Sequence, residues 1–144
     1  MTMTMVTATA LFDSLRAPSA DTPSGRHTAR VTALPLTTAL PESARRLILC
    51  SFNTLVSIIY HGKVFRANCG VNLWIRDARW AWFTLNRADD QLLITYDLPE
   101  NPRPIRRITS EVRSQTPNRQ LCRLSIQTRT GLRTLLYFTL EPRQ

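Results

Sequence analysis

The chain is short of the residues from which catalytic sites and phosphate cradles are built. Its four glycines, at positions 25, 62, 70 and 131, never cluster, so neither a P-loop nor a dinucleotide fingerprint can be written from them. Three cysteines, Cys50, Cys69 and Cys122, are too few and odd in number for a disulfide framework. Reduced thiols in a cytoplasm, nucleus or organelle matrix are the simpler reading. Of the two histidines, His27 and His61, only His61 falls near cysteines, with ten and seven residues separating it from Cys50 and Cys69. Structural zinc sites want close ligand pairs, so no metal site is expected, and a catalytic Cys–His pair fares no better. Asp89 and Asp90 read as solvated turn residues rather than a catalytic carboxylate pair. Neither cofactor nor enzymatic activity is expected.

A long hydrophobic run is also missing. The longest apolar stretch, Leu47 to Tyr60, is fourteen residues interrupted by Ser51, Asn53, Thr54 and Ser57, whereas a bilayer span needs about 20. The first fifteen residues lack the basic start and apolar core of a secretory signal. These features predict a protein not integral to a membrane and located in the cytoplasm or nucleus. Organelle import is a further reading, from the hydroxyl- and Arg-rich, acid-poor N-terminal segment, although Asp13 and Asp21 count against it.

Lysine is nearly absent as well. Lys63 stands alone against eighteen arginines, and the formal net charge is +9. The excess is uneven: residues 1–43 are neutral, while residues 103–144 carry nine arginines against Glu111 and Glu141. Such a field attracts nucleic acid, anionic membrane or acidic proteins. Arg rather than Lys also suits bidentate phosphate contact and stacking on bases. A GC-rich genome or an overlapping reading frame would give the same skew.

Residues 1–40 are dominated by Thr, Ala, Ser and Pro, with Phe12 the only aromatic. They read as a flexible tail unable to bury enough apolar surface to offset its ordering entropy. Ala8 to Arg16 is a candidate short helix and Arg30 to Leu36 a candidate edge strand. The domain, residues 41–144, opens with the clearest periodicity in the chain. Ser43, Arg46, Cys50, Asn53 and Ser57 form a narrow polar stripe on an otherwise apolar helix over residues 42–60. That pattern predicts Leu47, Leu55, Ile58 and Ile59 buried, with the helix lying across a sheet. From Lys63 the period changes to two. Strands are expected at 71–76, 79–86, 91–98, 105–113, 121–129 and 132–140, as an antiparallel meander followed by a C-terminal hairpin. The fold class is therefore α+β: an antiparallel sheet packed against one long apolar helix, with a disordered N-terminal tail.

Two constellations stand out. Alternation puts Cys122, Leu124, Ile126, Leu136, Phe138 and Leu140 on the inner face of the last strands. It leaves Arg107, Arg113, Arg123, Arg129, Arg133 and Tyr137 together on the outer one, a set suited to phosphate contact and base stacking. The second is Trp74, Arg76, Trp80 and Trp82, a stacking platform or partner contact if exposed and core if buried. The leading expectation is a small basic protein contacting RNA or single-stranded DNA, such as a viral or mobile-element accessory protein or a ribonucleoprotein subunit. The alternatives are a matrix-like or scaffold protein on anionic membrane, or one docking a protein partner or a second copy through the Arg/Trp surfaces.

Overall fold

A computed structural model describes residues 2–19 and 23–143. Among these, eight strands follow one another around a closed antiparallel barrel: β1 (Gly25–Ala33), β2 (Tyr60–Arg66), β3 (Cys69–Trp74), β4 (Arg79–Ala88), β5 (Gln91–Thr95), β6 (Ile108–Thr116), β7 (Arg119–Thr128) and β8 (Gly131–Pro142). The helices are α1 (Met5–Ser14), α2 (Glu42–Ile59) and the four-residue α3 (Arg103–Arg106). The open α+β sheet under one long helix is thus corrected to a closed barrel. The strand that closes it, β1, pairs with β8 on one side and with β2 on the other. It lies in the segment whose composition reads as a tail. Composition measures what a segment can bury alone, whereas β1 needs only backbone partners on two sides and a few inward apolar side chains.

The alternation along β4 to β8 is what fills the interior. Phe83, Leu85, Leu92, Ile94, Val112, Cys122, Phe138 and Leu140 meet inside the barrel, each 6% exposed or less. No residue larger than glycine fits at position 70, where a Cβ would fall 2.4 Å from the Phe83 ring. The turn joining β7 to β8 consists of Arg129 and Thr130, with Thr128 paired to Gly131.

The expected disordered tail is also overturned. Thr4 caps α1 by accepting from Thr7 N–H at 3.0 Å. The helix then lies on the outside of the barrel, where Phe12 and Ala8 pack on Ala33, Leu121 and Tyr137, all essentially inaccessible.

The orientation of α2 reverses the sequence expectation. Leu47, Leu55, Ile58 and Ile59 are 51–68% exposed, and Leu49 is its buried residue. Of the polar stripe, Asn53 alone is part-buried against the barrel; Ser43, Arg46, Cys50 and Ser57 are exposed. Asn53 Oδ1 accepts from Val31 N–H at 2.8 Å, and its Nδ2 donates to Val31 C=O at 2.8 Å and to Leu49 C=O at 2.9 Å. The reason lies in the neighbouring strand. β2 pairs with β1 only over Gly25 to His27, so the upper half of β1 has an unpaired edge, and α2 lies along it. A helix face meeting a bare strand edge has to offer hydrogen-bonding side chains. Gly62 completes the handover from α2 to the barrel wall. Its φ is +107°, and a Cβ there would fall 2.0 Å from the His27 carbonyl oxygen.

Candidate functional site

Because α2 replaces wall strand beside upper β1, the barrel is not filled at that end. A cavity of about 380 Å³ remains, lined mainly by apolar side chains that include Phe52 and Val56 of α2, Trp74, Trp80, Ile105 and Phe138. Ala81, with φ +60°, is the extra residue of a bulge where the β3–β4 register shifts between the Val71–Trp82 and Asn72–Trp80 pairs. The bulge turns Trp80 to border the cavity, while Trp82 stays outside it.

The polar feature of this cavity is Lys63, 4% exposed and bordering it from β2. Its ammonium donates to Asn72 Oδ1 at 2.6 Å and to the Tyr96 hydroxyl. Tyr60 donates to the same Asn72 oxygen at 2.9 Å, and Asn72 in turn donates to Ala81 C=O at 2.9 Å. The Phe83 and Tyr96 rings stand 5.1 Å from Nζ, a distance at which ring faces attract a cation. No carboxylate among the described residues lies within ion-pair distance of Lys63.

Burial is the largest influence on the Lys63 ammonium and acts to lower its pKa; attraction to Tyr60 and Tyr96 and hydrogen bonds with them raise it and outweigh burial. That attraction requires phenolates. Burial pushes the Tyr60 phenol up to about 12, so at neutral pH its hydroxyl brings polarity to the site without negative charge. The result is a desolvated cation, hydrogen-bonded to neutral groups, at the wall of an apolar space. It was legible in the sequence only as the single lysine among arginines.

The expected arginine face is divided by α1. Arg113 and Arg123 both hold Glu111, each at 2.6 Å, and their guanidiniums stand 5.2 and 4.6 Å from the centre of the Phe12 ring. Arg113 also donates to Leu15 C=O at 2.8 Å. Tyr137 is 1% exposed, its hydroxyl 2.9 Å from Thr9 Oγ1. These three fasten α1 to the barrel. Arg107, Arg129 and Arg133 remain exposed around the β7–β8 turn, with Arg107 donating to Gln127 C=O at 2.7 Å and 2.9 Å.

In the second constellation, Trp74 and Trp80 contact each other edge to face at 5.6 Å, and Trp74 meets Tyr60 at 5.1 Å. Trp80 and Trp82 are 44% and 42% exposed, and Arg76 is exposed. The cysteines are dispersed: Cys122 is inside the barrel, its thiol pushed up by burial, while Cys50 and Cys69 are exposed. His61 lies outside the cavity, 3.1 Å from Asp77, which Arg26 also holds at 2.8 Å. These neighbours keep the Asp77 carboxyl below its ordinary range.

Comparison with protein-family models, with curated proteins and with solved structures finds no match for this chain.

Proposed function

We propose that this chain is a non-enzymatic binding protein for a small amphipathic molecule. The apolar body sits in the barrel cavity, and an anionic or strongly accepting head group lies against Lys63. The observation that carries the reading is the buried Lys63 ammonium facing an apolar cavity with no carboxylate partner among the described residues. Burying an unpaired charge is strongly unfavourable, and neutral hydrogen-bond partners offset only part of that. An anionic head group would supply the missing charge in surroundings where little water screens it. The volume of about 380 Å³ lies toward the small end of ligand pockets, which favours a short or medium chain or a single ring system. Arg would fill the space with a rigid fork, whereas Lys offers a compact charge on a stem that packs against the aromatic walls.

The test is displacement of an environment-sensitive dye by straight-chain carboxylic acids and by alcohols of the same length. Acids are expected to bind more tightly, and Lys63→Met is expected to remove that preference while alcohols still bind. Failure of every compound to bind, or an acid preference that survives in Lys63→Met, overturns the reading.

A polyanion remains the second reading, resting on Arg107, Arg129 and Arg133, which the β7–β8 turn gathers on one exposed end. These are half of the arginine and tyrosine set expected from the sequence; the other half holds α1.

A further inference from the structure

The outer face of α2 is unusual for an exposed helix. Leu47, Ile48, Phe52, Leu55, Ile58 and Ile59 are between 36% and 68% exposed. At 100° per residue they occupy one continuous arc, opposite the side that Asn53 fixes to β1. The face is continuous with the cavity mouth, because Phe52 belongs to both. Tyr60, the first residue after α2, touches Trp74, and Trp74 touches Trp80 on the far rim.

Around that mouth, apolar and arginine side chains alternate. Ile75, 50% exposed, precedes Arg76; Arg79 precedes Trp80; and Arg103 and Arg106 flank Ile105 on α3. Arg76 borders the groove under the C-terminal end of α2 with Ser57 and Tyr60, and Arg46 borders Leu47 near its start. Of the nearby acids, Asp77 is held by Arg26 and Asp97 by Arg106, while Glu42 lies beside Arg46 at the start of α2. Arg46, Arg76, Arg79 and Arg103 have no side-chain hydrogen bond or ion pair among the described residues.

We propose that this face, α2 together with the arginine-flanked cavity mouth, docks on an anionic lipid bilayer. Aliphatic side chains and an indole ring then enter the headgroup and acyl boundary while the guanidiniums meet lipid phosphates. Charge complementarity selects this occupant, because the face is apolar with cations around it and a second copy would bring like charges together. A bilayer needs no matching surface. The placement would also set the cavity opening at the lipid boundary, although the docking itself does not depend on the cavity holding a ligand.

The experiment is co-sedimentation of the whole chain with phosphatidylcholine vesicles, with and without phosphatidylglycerol. Binding is expected only with the anionic lipid, weakening as salt is raised. The double variant Leu55→Glu/Ile58→Glu alters exposed positions and should keep its circular dichroism spectrum while partitioning at least about tenfold less. Arg76→Gln/Arg79→Gln should lose part of the anionic preference, and Lys63→Met should bind vesicles like the parent. The proposal is overturned if the parent stays in the supernatant, or if the Leu55→Glu/Ile58→Glu variant binds undiminished. It is equally overturned if sedimentation equilibrium shows a dimer that this variant dissociates, because a second copy then covers the face.

Discussion

The side-chain amide of Asn53 satisfies both backbone groups of Val31, accepting from its N–H and donating to its C=O, each at 2.8 Å. One residue of a helix thus stands in for a residue of the missing strand. Asn101 does the same at the other edge of the opening: Oδ1 accepts from Trp82 N–H at 3.0 Å and Nδ2 donates to Trp82 C=O at 2.6 Å. Two asparagines therefore finish strand edges where the wall gives way to the cavity mouth.

Asn53→Ala should destabilise the protein by about 1–3 kcal/mol, because it leaves both backbone groups of Val31 unpaired under the helix. Leu55→Ala, on the exposed face, should stay within about 0.5 kcal/mol. Ile94→Ala inside the barrel should lose about 2–5 kcal/mol through burial and cavity terms. Urea unfolding of the three variants checks the ranking. A large loss for Leu55→Ala with none for Asn53→Ala would mean the helix is turned the other way.

A chain beginning at Thr38 should not unfold cooperatively. It lacks β1, which leaves edges on β2 and β8 and strips the cover from Leu121 and Tyr137. Calorimetry on the shortened chain is the check, and an unchanged unfolding midpoint would contradict the role given to β1. Phe12→Ala in the full chain is the milder version. It should weaken the protein by about 3 kcal/mol, since the ring is fully enclosed.

Stability should also depend on pH through His27. The ring is 2% exposed, and burial lowers its pKa from the ordinary value of 6.5, with its hydrogen bond to Gly25 C=O opposing. With the folded pKa below the unfolded one, the unfolded chain binds the proton first as pH falls. The contribution is fully present above about pH 6.5 and is lost as pH falls through the folded pKa. Denaturant midpoints measured from pH 7.5 downward should decline more steeply for the parent than for His27→Gln. Parallel curves would show that folding leaves the His27 pKa unshifted.

If the polyanion reading holds, affinity for single-stranded RNA should fall with salt at roughly −0.7 per phosphate contact, and Arg129→Ala with Arg133→Ala should flatten that slope by about 1.4. Arg123→Ala should instead loosen α1 by freeing Glu111 and the Phe12 ring. A slope change from Arg123→Ala equal to that from the turn arginines would place the contact elsewhere.

Much of the local structure could be read from residues alone. The 3.6-residue period marks a helix over 42–60 and the structure has it at Glu42–Ile59; period two marks the strands now numbered β3 to β8. Of the expected inward set, Cys122, Leu124, Leu136, Phe138 and Leu140 belong to the barrel core, and Ile126 lies outside it. These features depend on neighbours in sequence, and side-chain alternation encodes them directly. The cavity was much less legible. Lys63 was visible as a compositional oddity, but its aromatic walls and Asn72 come from strands far apart in the chain.

Tertiary structure decided barrel closure, the face that α2 presents and the fate of the arginines. An alternating segment states which side chains share a face, and nothing in it states whether the sheet's two edges meet. That depended on β1, which overlaps the candidate edge strand at Arg30 to Leu36 but whose pairing on both sides no local pattern announces. The apolar majority of α2 suggested burial because transfer from water favours it. The unpaired edge of β1 instead required a hydrogen-bonding group there, so Asn53 turned inward and Leu47, Leu55, Ile58 and Ile59 outward. Arg113 and Arg123 alternate outward as the sequence dictates, but α1 covers them, because Phe12 needed a site and their guanidiniums and Glu111 supplied one. The sequence determined which residues could lie together on a strand or helix; long-range pairing, which no local pattern carries, determined what each face would meet.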